Sequence, residues 1–353
     1  MTMTEVRRYV LSRLKGEHKT RLLTVSALLW GYLRSGVLGI AGVARGIWGV
    51  TSTRHSIKRV WRFACNPNTD PHVVMAALLR EAECLGRPMV VAIDWVELRG
   101  GMRALVAGLC LGKGRALPVA WTVVHAGKFF RSQNNIENGF LRLLKTFFLD
   151  PARAVIVADR GFRRASFLAL LDYLGFGYVV RVSGNVVVRC DRHEGLLEEC
   201  GIREREEIDF GAVRYREDEV TTTRIVSRWA RGAAEPWHLA TNLNKSINKI
   251  CGIYAQRMEE EESFRDLKSH RYGAALRYVK LSSPERYERL FMLWAMGAWL
   301  LHGQGQSAID RNLHLGLSSA PNTRRELSIV RIGRELLKEP LGTPAALLRR
   351  MAA

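Results

Sequence analysis

The chain has 353 residues, of which 47% are hydrophobic and 25% charged, a composition that excludes a disordered protein and leaves room for two or three domains. Its 54 Lys and Arg residues exceed its 34 Asp and Glu residues, so the net charge is +20. Such a charge favours a polyanionic partner, and nucleic acid is the first candidate, although a generally Arg-rich proteome would produce it too.

Cysteine usage and apolar runs exclude several further classes. The six cysteines are scattered without a C-x-x-C pair, which argues against a zinc ribbon and a disulfide scaffold. The N-terminus is charged and lacks the apolar core of a signal peptide. The longest apolar run, residues 290–301, is shorter than the ~20 residues that span a bilayer. We therefore expect a cytoplasmic protein with no membrane partner.

Residues 1–85 have a helical pattern and are predicted to form a helical N-terminal domain. Two helices are expected over residues 40–48 and 51–64, joined by a turn at Gly49. The second helix carries four cations, Arg54, Lys58, Arg59 and Arg62. A short helix, a glycine turn and a basic helix are typical of a helix-turn-helix, and a plain basic helical hairpin fits the pattern equally well.

Residues 86–182 change to a strand-rich pattern. Three short apolar runs with tight connections predict an antiparallel meander over residues 87–125. A helix over 136–149, a strand ending at Asp159, a helix over 164–174 and a strand over 177–182 follow. This order is that of an RNase H-like α/β core.

The rest of the chain divides into three parts. Residues 183–236 predict a β-rich insertion, because they contain strand-like runs in a charged setting. Residues 237–280 predict one more core strand followed by a long helix. Residues 281–353 predict a helical C-terminal region that ends in a basic tail.

Two aspartates end apolar strands. Asp94 closes the run "RPMVVAID" and Asp159 closes "AVIVAD". The carboxyl ends of strands are where α/β sheets present their chemistry. A buried carboxylate is costly unless it is paired or bound to a metal, so packing alone does not explain these two residues.

The stretch "YAQRMEEEESFRDLK" places four glutamates in a row on the predicted long helix. At ~100° per residue, Glu261 shares a narrow face with the four residues Tyr254, Arg257, Arg265 and Lys268. The other three glutamates of the row point away from that face. A solvated helix face with pairs such as Glu261–Arg265 is the alternative.

Carboxylates from two strand ends and one helix are suited to Mg²⁺. Hard divalent cations take oxygen ligands and keep positions for water and substrate phosphates. Two such ions ~3.5–4 Å apart can clamp the attacking and leaving oxygens of an in-line phosphoryl transfer. Cations beside the acids can hold the charge of the scissile phosphodiester.

Combined motifs now point to a family. The spacing Y-x2-R-x3-E-x6-K, met by Tyr254, Arg257, Glu261 and Lys268, occurs together with "AIDWVE", "ADRGFRR" and "WHLATNL". Over residues 85–280 the chain resembles bacterial insertion-sequence DDE transposases of the family named after insertion sequence four. The resemblance implies an RNase H-like catalytic core. It also implies a metal-binding catalytic triad of Asp94, Asp159 and Glu261 that uses Mg²⁺, with Mn²⁺ as a substitute.

The resemblance further implies double-stranded DNA, both transposon ends and target, as the partner, and a homodimer in the synaptic complex. The DNA contacts expected in the core are Tyr254, Arg257, Lys268, Arg160, Arg265 and Trp237. The N-terminal domain becomes a DNA-binding domain, with Lys58, Arg59 and Arg62 as its candidate contacts and ordinary surface charge as the alternative. Trp237 matches a base-stacking tryptophan of the family, and a core or strand-edge role is equally compatible.

The reaction implied is Mg²⁺-dependent strand cleavage followed by strand transfer, without a covalent protein intermediate. Two other functions stay open on the sequence. An RNase H-like nuclease would only hydrolyse nucleic acid and would need neither an end-binding domain nor the Tyr-Arg-Glu-Lys face. A non-catalytic, transposase-derived DNA-binding protein would be expected to have lost a carboxylate, and all three are present.

Overall fold

The computed structural model describes residues 1–47, 52–86, 88–112, 114–128, 133–215, 221–269, 274–317 and 327–338. The helices are α1 (Met3–Arg13), α2 (Lys19–Ser35), α3 (Ile40–Gly46), α4 (Thr53–Cys65), α5 (Pro71–Glu83), α6 (Gln133–Phe147), α7 (Ala165–Tyr173), α8 (Ile247–Ala255), α9 (Met258–Lys268), α10 (Pro284–Asp310) and α11 (Ile329–Lys338). The strands are β1 (Met89–Glu97), β2 (Met102–Cys110), β3 (Leu117–His125), β4 (Ala154–Ala158), β5 (Gly177–Val182), β6 (Val187–Cys190), β7 (His193–Leu196), β8 (Glu207–Tyr215), β9 (Thr221–Arg228) and β10 (Trp237–Thr241). The predicted turn at Gly49 lies outside the described residues.

The described strands form one mixed sheet in the order β3-β2-β1-β4-β5-β10-β9-β8-β6-β7. Strands β1, β2 and β3 form the predicted antiparallel meander. Strands β1, β4 and β5 run parallel, and β10 returns antiparallel beside β5. Strands β6 to β9 belong to the segment predicted as an insertion, and they extend the same sheet instead of forming a separate one.

The central strands are buried on both faces, as their continuous apolar runs require. In β1, Val91 and Ile93 face the larger hydrophobic cluster, whereas Val90 and Ala92 face a smaller cluster that includes residues of α8. Side chains alternate between the faces of a strand, so Asp94 lies on the α8 side and Trp95 on the other.

The N-terminal and C-terminal helices pack together on the face of the larger cluster. Helix α10 lies against β3, α2, α4 and α11, and its apolar run is buried there. Trp121 of β3 donates from Nε1 to the carbonyl of Glu288, and Trp299 donates to the carbonyl of Pro118. Among the described residues no single helix is long and apolar enough to cross a membrane; α2 and α3 pass that test only together, and they meet at 94°.

The prediction of one long helix through residues 254–268 is wrong. Helix α8 ends at Ala255 and α9 begins at Met258. Between them the N–H groups of Gln256 and Arg257 donate to the carbonyls of Ile253 and Tyr254 at 3.2 and 3.0 Å, which are i→i−3 bonds. Such a turn advances ~120° per residue rather than ~100°, so the angles calculated for a continuous helix do not hold across it.

Candidate active site

Asp94 and Asp159 lie at two neighbouring parallel strands. Ile93 of β1 is paired with Ala158 of β4, and each aspartate is the next residue in the chain. Asp159 directly follows β4, as predicted. Strand β1 continues past Asp94 to Glu97, although its run of buried residues does end at Ile93.

Two further carboxylates lie near enough to Asp94 to affect its pKa. Burial, followed by the negative charge of Asp159, raises the pKa of Asp94 to about 6, and Glu261 adds to the rise. The backbone N–H of Trp95, which donates to Asp94 Oδ1 at 2.7 Å, opposes that rise in pKa, as does Arg257. Asp94 therefore interacts with both of the other acids of the proposed triad.

Arg257 lies between the strand carboxylate and the helix carboxylate. Its Nη2 is 2.6 Å from Glu261 Oε1, and its Nη1 is 3.4 Å from Asp94 Oδ2. The Arg257 side chain is 10% exposed, whereas that of Glu261 is 40% exposed. A buried cation thus joins the start of α9 to β1, and it does so at the point where the helix is broken.

Tyr254 and Trp237 support this cation from the α8 side. The Arg257 guanidinium lies 5.8 Å from the centroid of the Tyr254 ring. The Tyr254 ring meets that of Trp237 edge to face, with centroids 4.9 Å apart. Tyr254 is buried and Trp237 half-buried, so both residues pack within the site as the structure stands.

The remaining predicted residues lie further out. Arg160 is exposed, with Nη1 3.8 Å from Glu235. Arg265 is exposed and pairs with Glu262 at 2.7 Å, not with Glu261. Lys268 is half-buried at the end of α9. On α4, the three predicted DNA contacts Lys58, Arg59 and Arg62 are all exposed.

The row of glutamates is neither a solvated face nor four equivalent acids. Glu259 and Glu260 are 8% and 1% exposed, because α9 packs against β1 and β2. Glu259 Oε2 accepts the N–H of Leu111 at 3.0 Å, whereas Glu260 Oε1 has no hydrogen-bond partner among the described residues. Burial, followed by the charge of Asp94, raises the pKa of Glu260 well above its ordinary value.

Sequence reasoning missed the burial of Glu260, yet one signal for it was available. A lone glycine inside an apolar strand often marks a close approach of another group. Gly108 of β2 is such a residue: a Cβ atom there would lie 1.9 Å from Glu260 Oε2.

The three acids suit a hard divalent cation by donor type. Asp94, Asp159 and Glu261 offer oxygen atoms alone, the ligands that Mg²⁺ and Mn²⁺ prefer. In the described part of the chain no three acidic, His or Cys side chains stand in position to share a metal ion, and the Arg257 guanidinium occupies the space between two of these acids. The donor set fits the metal, and binding would require Arg257 to move.

One comparison with known proteins bears on this site. Residues 128–300 match the family model of the transposase DDE domain, a span that includes Asp159 and Glu261 and begins after Asp94. No curated protein matches the chain. The family match supports a DDE transposase and suggests an enzyme that cleaves nucleic acid, and a large mixed sheet with packed helices fits the fold of such a domain. That family implies dependence on a divalent metal.

Proposed function

We propose that this protein is the transposase of an insertion sequence in the family named after insertion sequence four. It binds terminal inverted repeats and catalyses strand cleavage and strand transfer with Asp94, Asp159 and Glu261. The observation that carries the proposal is the double contact of Arg257, which brings Glu261 on α9 to the strand carboxylate Asp94. The strand order β3-β2-β1-β4-β5, with the meander antiparallel and the last three strands parallel, supports an RNase H-like core.

In this proposal Asp94, Asp159 and Glu261 hold a pair of Mg²⁺ ions, with Mn²⁺ as a substitute. The bound ions would supply Lewis-acid stabilisation of the phosphodiester and lower the pKa of the attacking water. Arg257 contacts two of these acids, so it can take up a phosphate oxygen of the scissile strand. The three carboxylates provide the oxygen ligands, and their positions depend on β1, β4 and α9.

The reaction needs no protein nucleophile. Hydrolysis of one phosphodiester frees a 3′-hydroxyl, which then attacks a second phosphodiester and displaces its bridging oxygen. Tyr254 is a poor candidate for a covalent role, because it is 4% exposed and burial raises the pKa of its hydroxyl. Its ring instead lies between Trp237 and Arg257, which suits a supporting role in the site.

Double-stranded DNA is the proposed partner, as transposon end and as target, and two protomers hold two ends in the synaptic complex. The exposed cations Lys58, Arg59 and Arg62 on α4 are the proposed contacts of the N-terminal domain. Arg160, Arg265 and Lys268 are the proposed outer contacts of the core. Trp237 packs edge-on against Tyr254, which favours a role in supporting α8 over base stacking.

The test is cleavage of a supercoiled plasmid that carries the element's own ends, in Mg²⁺, by wild type, Glu261→Ala and Glu262→Ala. Glu262 is the matched control, since it neighbours Glu261 on α9 but contacts Arg115 and Arg265 at the surface. Glu260 does not serve as a control because it is buried.

We expect wild type and Glu262→Ala to cut at the ends and to join them to target, and Glu261→Ala to bind the ends without cutting. Cutting by Glu261→Ala at the wild-type rate would contradict the assignment of Glu261 to the catalytic triad. If the wild-type protein nicks DNA without joining it to target, the nuclease alternative is favoured. If it binds DNA without nicking, the alternative of a non-catalytic DNA-binding protein is favoured.

A further inference from the structure

Glu137 of α6 is a fully buried carboxylate to which the sequence assigned no role. It is 1% exposed. A buried charge is costly unless hydrogen bonds and an opposite charge satisfy it. Its partners therefore show what its burial achieves.

Each oxygen of Glu137 is occupied. Oε1 accepts from Trp95 Nε1 at 3.0 Å and from Gln133 Nε2 at 2.8 Å. Oε2 accepts from Arg164 Nη2 at 2.7 Å, and the Arg164 side chain is only 16% exposed. A short, charge-assisted bond of this kind is among the strong ones in proteins.

Two of these partners lie in the segments that follow the proposed catalytic aspartates. Trp95 follows Asp94 directly, and its backbone N–H donates to Asp94 Oδ1. The turn that begins at Asp159 ends at Arg163, and within it the N–H of Gly161 donates to Asp159 Oδ1 at 2.8 Å; Arg164 is the next residue and caps α7. One side chain on α6 thus holds the segment after each aspartate.

The backbone pairing of β1 with β4 brings the two aspartates near each other but does not include them. The paired register of β1 and β4 ends at Ile93 and Ala158, one residue before them. Beyond that point β1 continues along β2, whereas the segment after β4 enters the turn at residues 160–162. Glu137 joins the two segments where this ladder stops, from the face of the sheet opposite the site.

The geometry points to Glu137 as a positioning residue that sets the separation of Asp94 and Asp159, and through it the affinity of the site for divalent cations. Further contacts stiffen the arrangement from the β2 side. The Arg103 guanidinium lies 4.9 Å from the centroid of the Trp95 ring, and its Nη1 donates to Gln133 Oε1 at 3.4 Å. The inference rests on the proposed metal-binding role of the two aspartates.

Glu137→Gln tests the inference, because it keeps the size of the side chain but removes the charge that faces Arg164. The matched control is Glu83→Gln. Glu83 is 6% exposed and accepts the N–H of Leu149, and Arg153 Nη2 donates to its carbonyl, so it lies near the other end of β4. Trp95→Phe is a second variant, which removes one donor to Glu137 and keeps an aromatic ring.

The measurement is Mn²⁺ binding to the purified full-length chain by electron paramagnetic resonance of free Mn²⁺, with circular dichroism as the check on folding. We expect the Kd for Mn²⁺ to rise about tenfold or more in Glu137→Gln, as for other residues that orient metal ligands, and less in Trp95→Phe. Glu83→Gln is expected to stay within about twofold of wild type, since it touches neither aspartate segment.

Wild-type Mn²⁺ affinity in folded Glu137→Gln would overturn the inference. If Glu137→Gln does not fold, unchanged affinity in Trp95→Phe would overturn it instead. An Asp159→Ala control separates this result from failure of the proposed function: equal Mn²⁺ binding by wild type and Asp159→Ala would remove the metal site itself, and the role of Glu137 with it.

Discussion

Glu260 buries its carboxyl group directly against Gly108, so closely that a Cβ atom at position 108 would lie 1.9 Å from Glu260 Oε2. Glycine at this point of β2 allows α9 to approach the sheet. With Glu260 inserted there, the next residue, Glu261, contacts Arg257, which also contacts Asp94. A glycine on one strand therefore helps to select which glutamate of the row reaches the site.

Gly108→Ala is expected to displace α9 and impair cleavage. The added methyl group overlaps the Glu260 carboxyl and lies 3.0 Å from the Cβ of Ala116, and overpacking of this kind costs about 1–3 kcal/mol. We expect a lower melting temperature and end cleavage at least about tenfold slower, because Glu261 moves away from Asp94. Thermal unfolding and the plasmid cleavage assay measure the two effects.

A double variant separates this clash from a general effect of substitution. Glu260→Ala removes the group that the new methyl meets, so Gly108→Ala with Glu260→Ala is expected to be more stable than the sum of the single effects predicts. Gly303→Ala in α10 is the control, since a Cβ there has open space around it. Strictly additive effects would show that Gly108 and Glu260 do not determine each other's position.

Arg257→Gln is expected to make the stability of the protein depend on divalent cations. The substitution removes the cation that half-buried Asp94 shares with Glu261, and it leaves Asp94 in the field of Asp159. Breaking a fully buried ion pair from one side costs roughly 3–5 kcal/mol; Asp94 and Glu261 are 21% and 40% exposed, so the loss here is smaller, and the melting temperature in a chelator should still fall. Added Mg²⁺ should then stabilise the variant more than it stabilises wild type, because the ion replaces the missing charge.

Arg265→Gln is the control for this measurement. Arg265 is 73% exposed and its pair with Glu262 lies at the surface, where such pairs contribute at most about 1 kcal/mol. Equal stabilisation of wild type and Arg257→Gln by Mg²⁺ would contradict the reading that this guanidinium occupies the cation position.

The core could be predicted from the sequence where local patterns decide the structure. The apolar runs that end at Asp94 and Asp159 predict two buried strands, and adjacent parallel strands place their ends together. The predicted order of strands and helices between residues 87 and 182 was confirmed for the described part of that segment. Each of these predictions depends on residues close together in the chain.

What could not be predicted depends on partners far apart in the chain. The break between α8 and α9 coincides with the contacts of Arg257 to Asp94 and Glu261. Helix propensity depends on the local sequence, so it does not predict a break that involves a distant strand. Glu137 lies 42 residues from Trp95, so no short-range sequence pattern predicts that the two side chains meet. The extension of the core sheet by β6 to β9 was also invisible, because strand periodicity does not say which edge a strand joins.

His238 is expected to make the protein less stable in mild acid. It is 4% exposed on β10, and its Nδ1 lies 2.6 Å from Ser227 Oγ. Burial, followed by the positive charge of Arg181, lowers its pKa to about 4. The unfolded chain, with an ordinary pKa near ~6.5, therefore binds the proton first, so stability is complete above that value and is lost as the pH falls towards 4.

The titration of His238 lowers the free energy of unfolding by up to about 3 kcal/mol between pH 7 and pH 4. Melting temperatures of wild type and His238→Gln across that range measure it, because carboxyl groups titrate in both proteins and cancel in the difference. We expect the curves to converge as the pH falls. His55→Gln, at an exposed position, is the control. Parallel curves for wild type and His238→Gln would show that the His238 imidazole is not held neutral.

The cations of α4 are expected to contact DNA phosphates. Lys58, Arg59 and Arg62 are exposed, and the last two line a cleft of about 310 Å³ that also includes Thr20 and Arg21 of α2. Each phosphate contact releases condensed counterions, so loss of one makes the negative slope of log K against log salt shallower by about 1. Arg62→Ala should therefore weaken binding to element ends and reduce its salt dependence.

The matched control is Arg8→Ala. Arg8 is an exposed arginine of α1, so its loss changes the net charge by the same amount. Equal effects of Arg8→Ala and Arg62→Ala would reduce the role of α4 to overall charge, whereas a changed slope for Arg62→Ala alone would assign the contact to this helix.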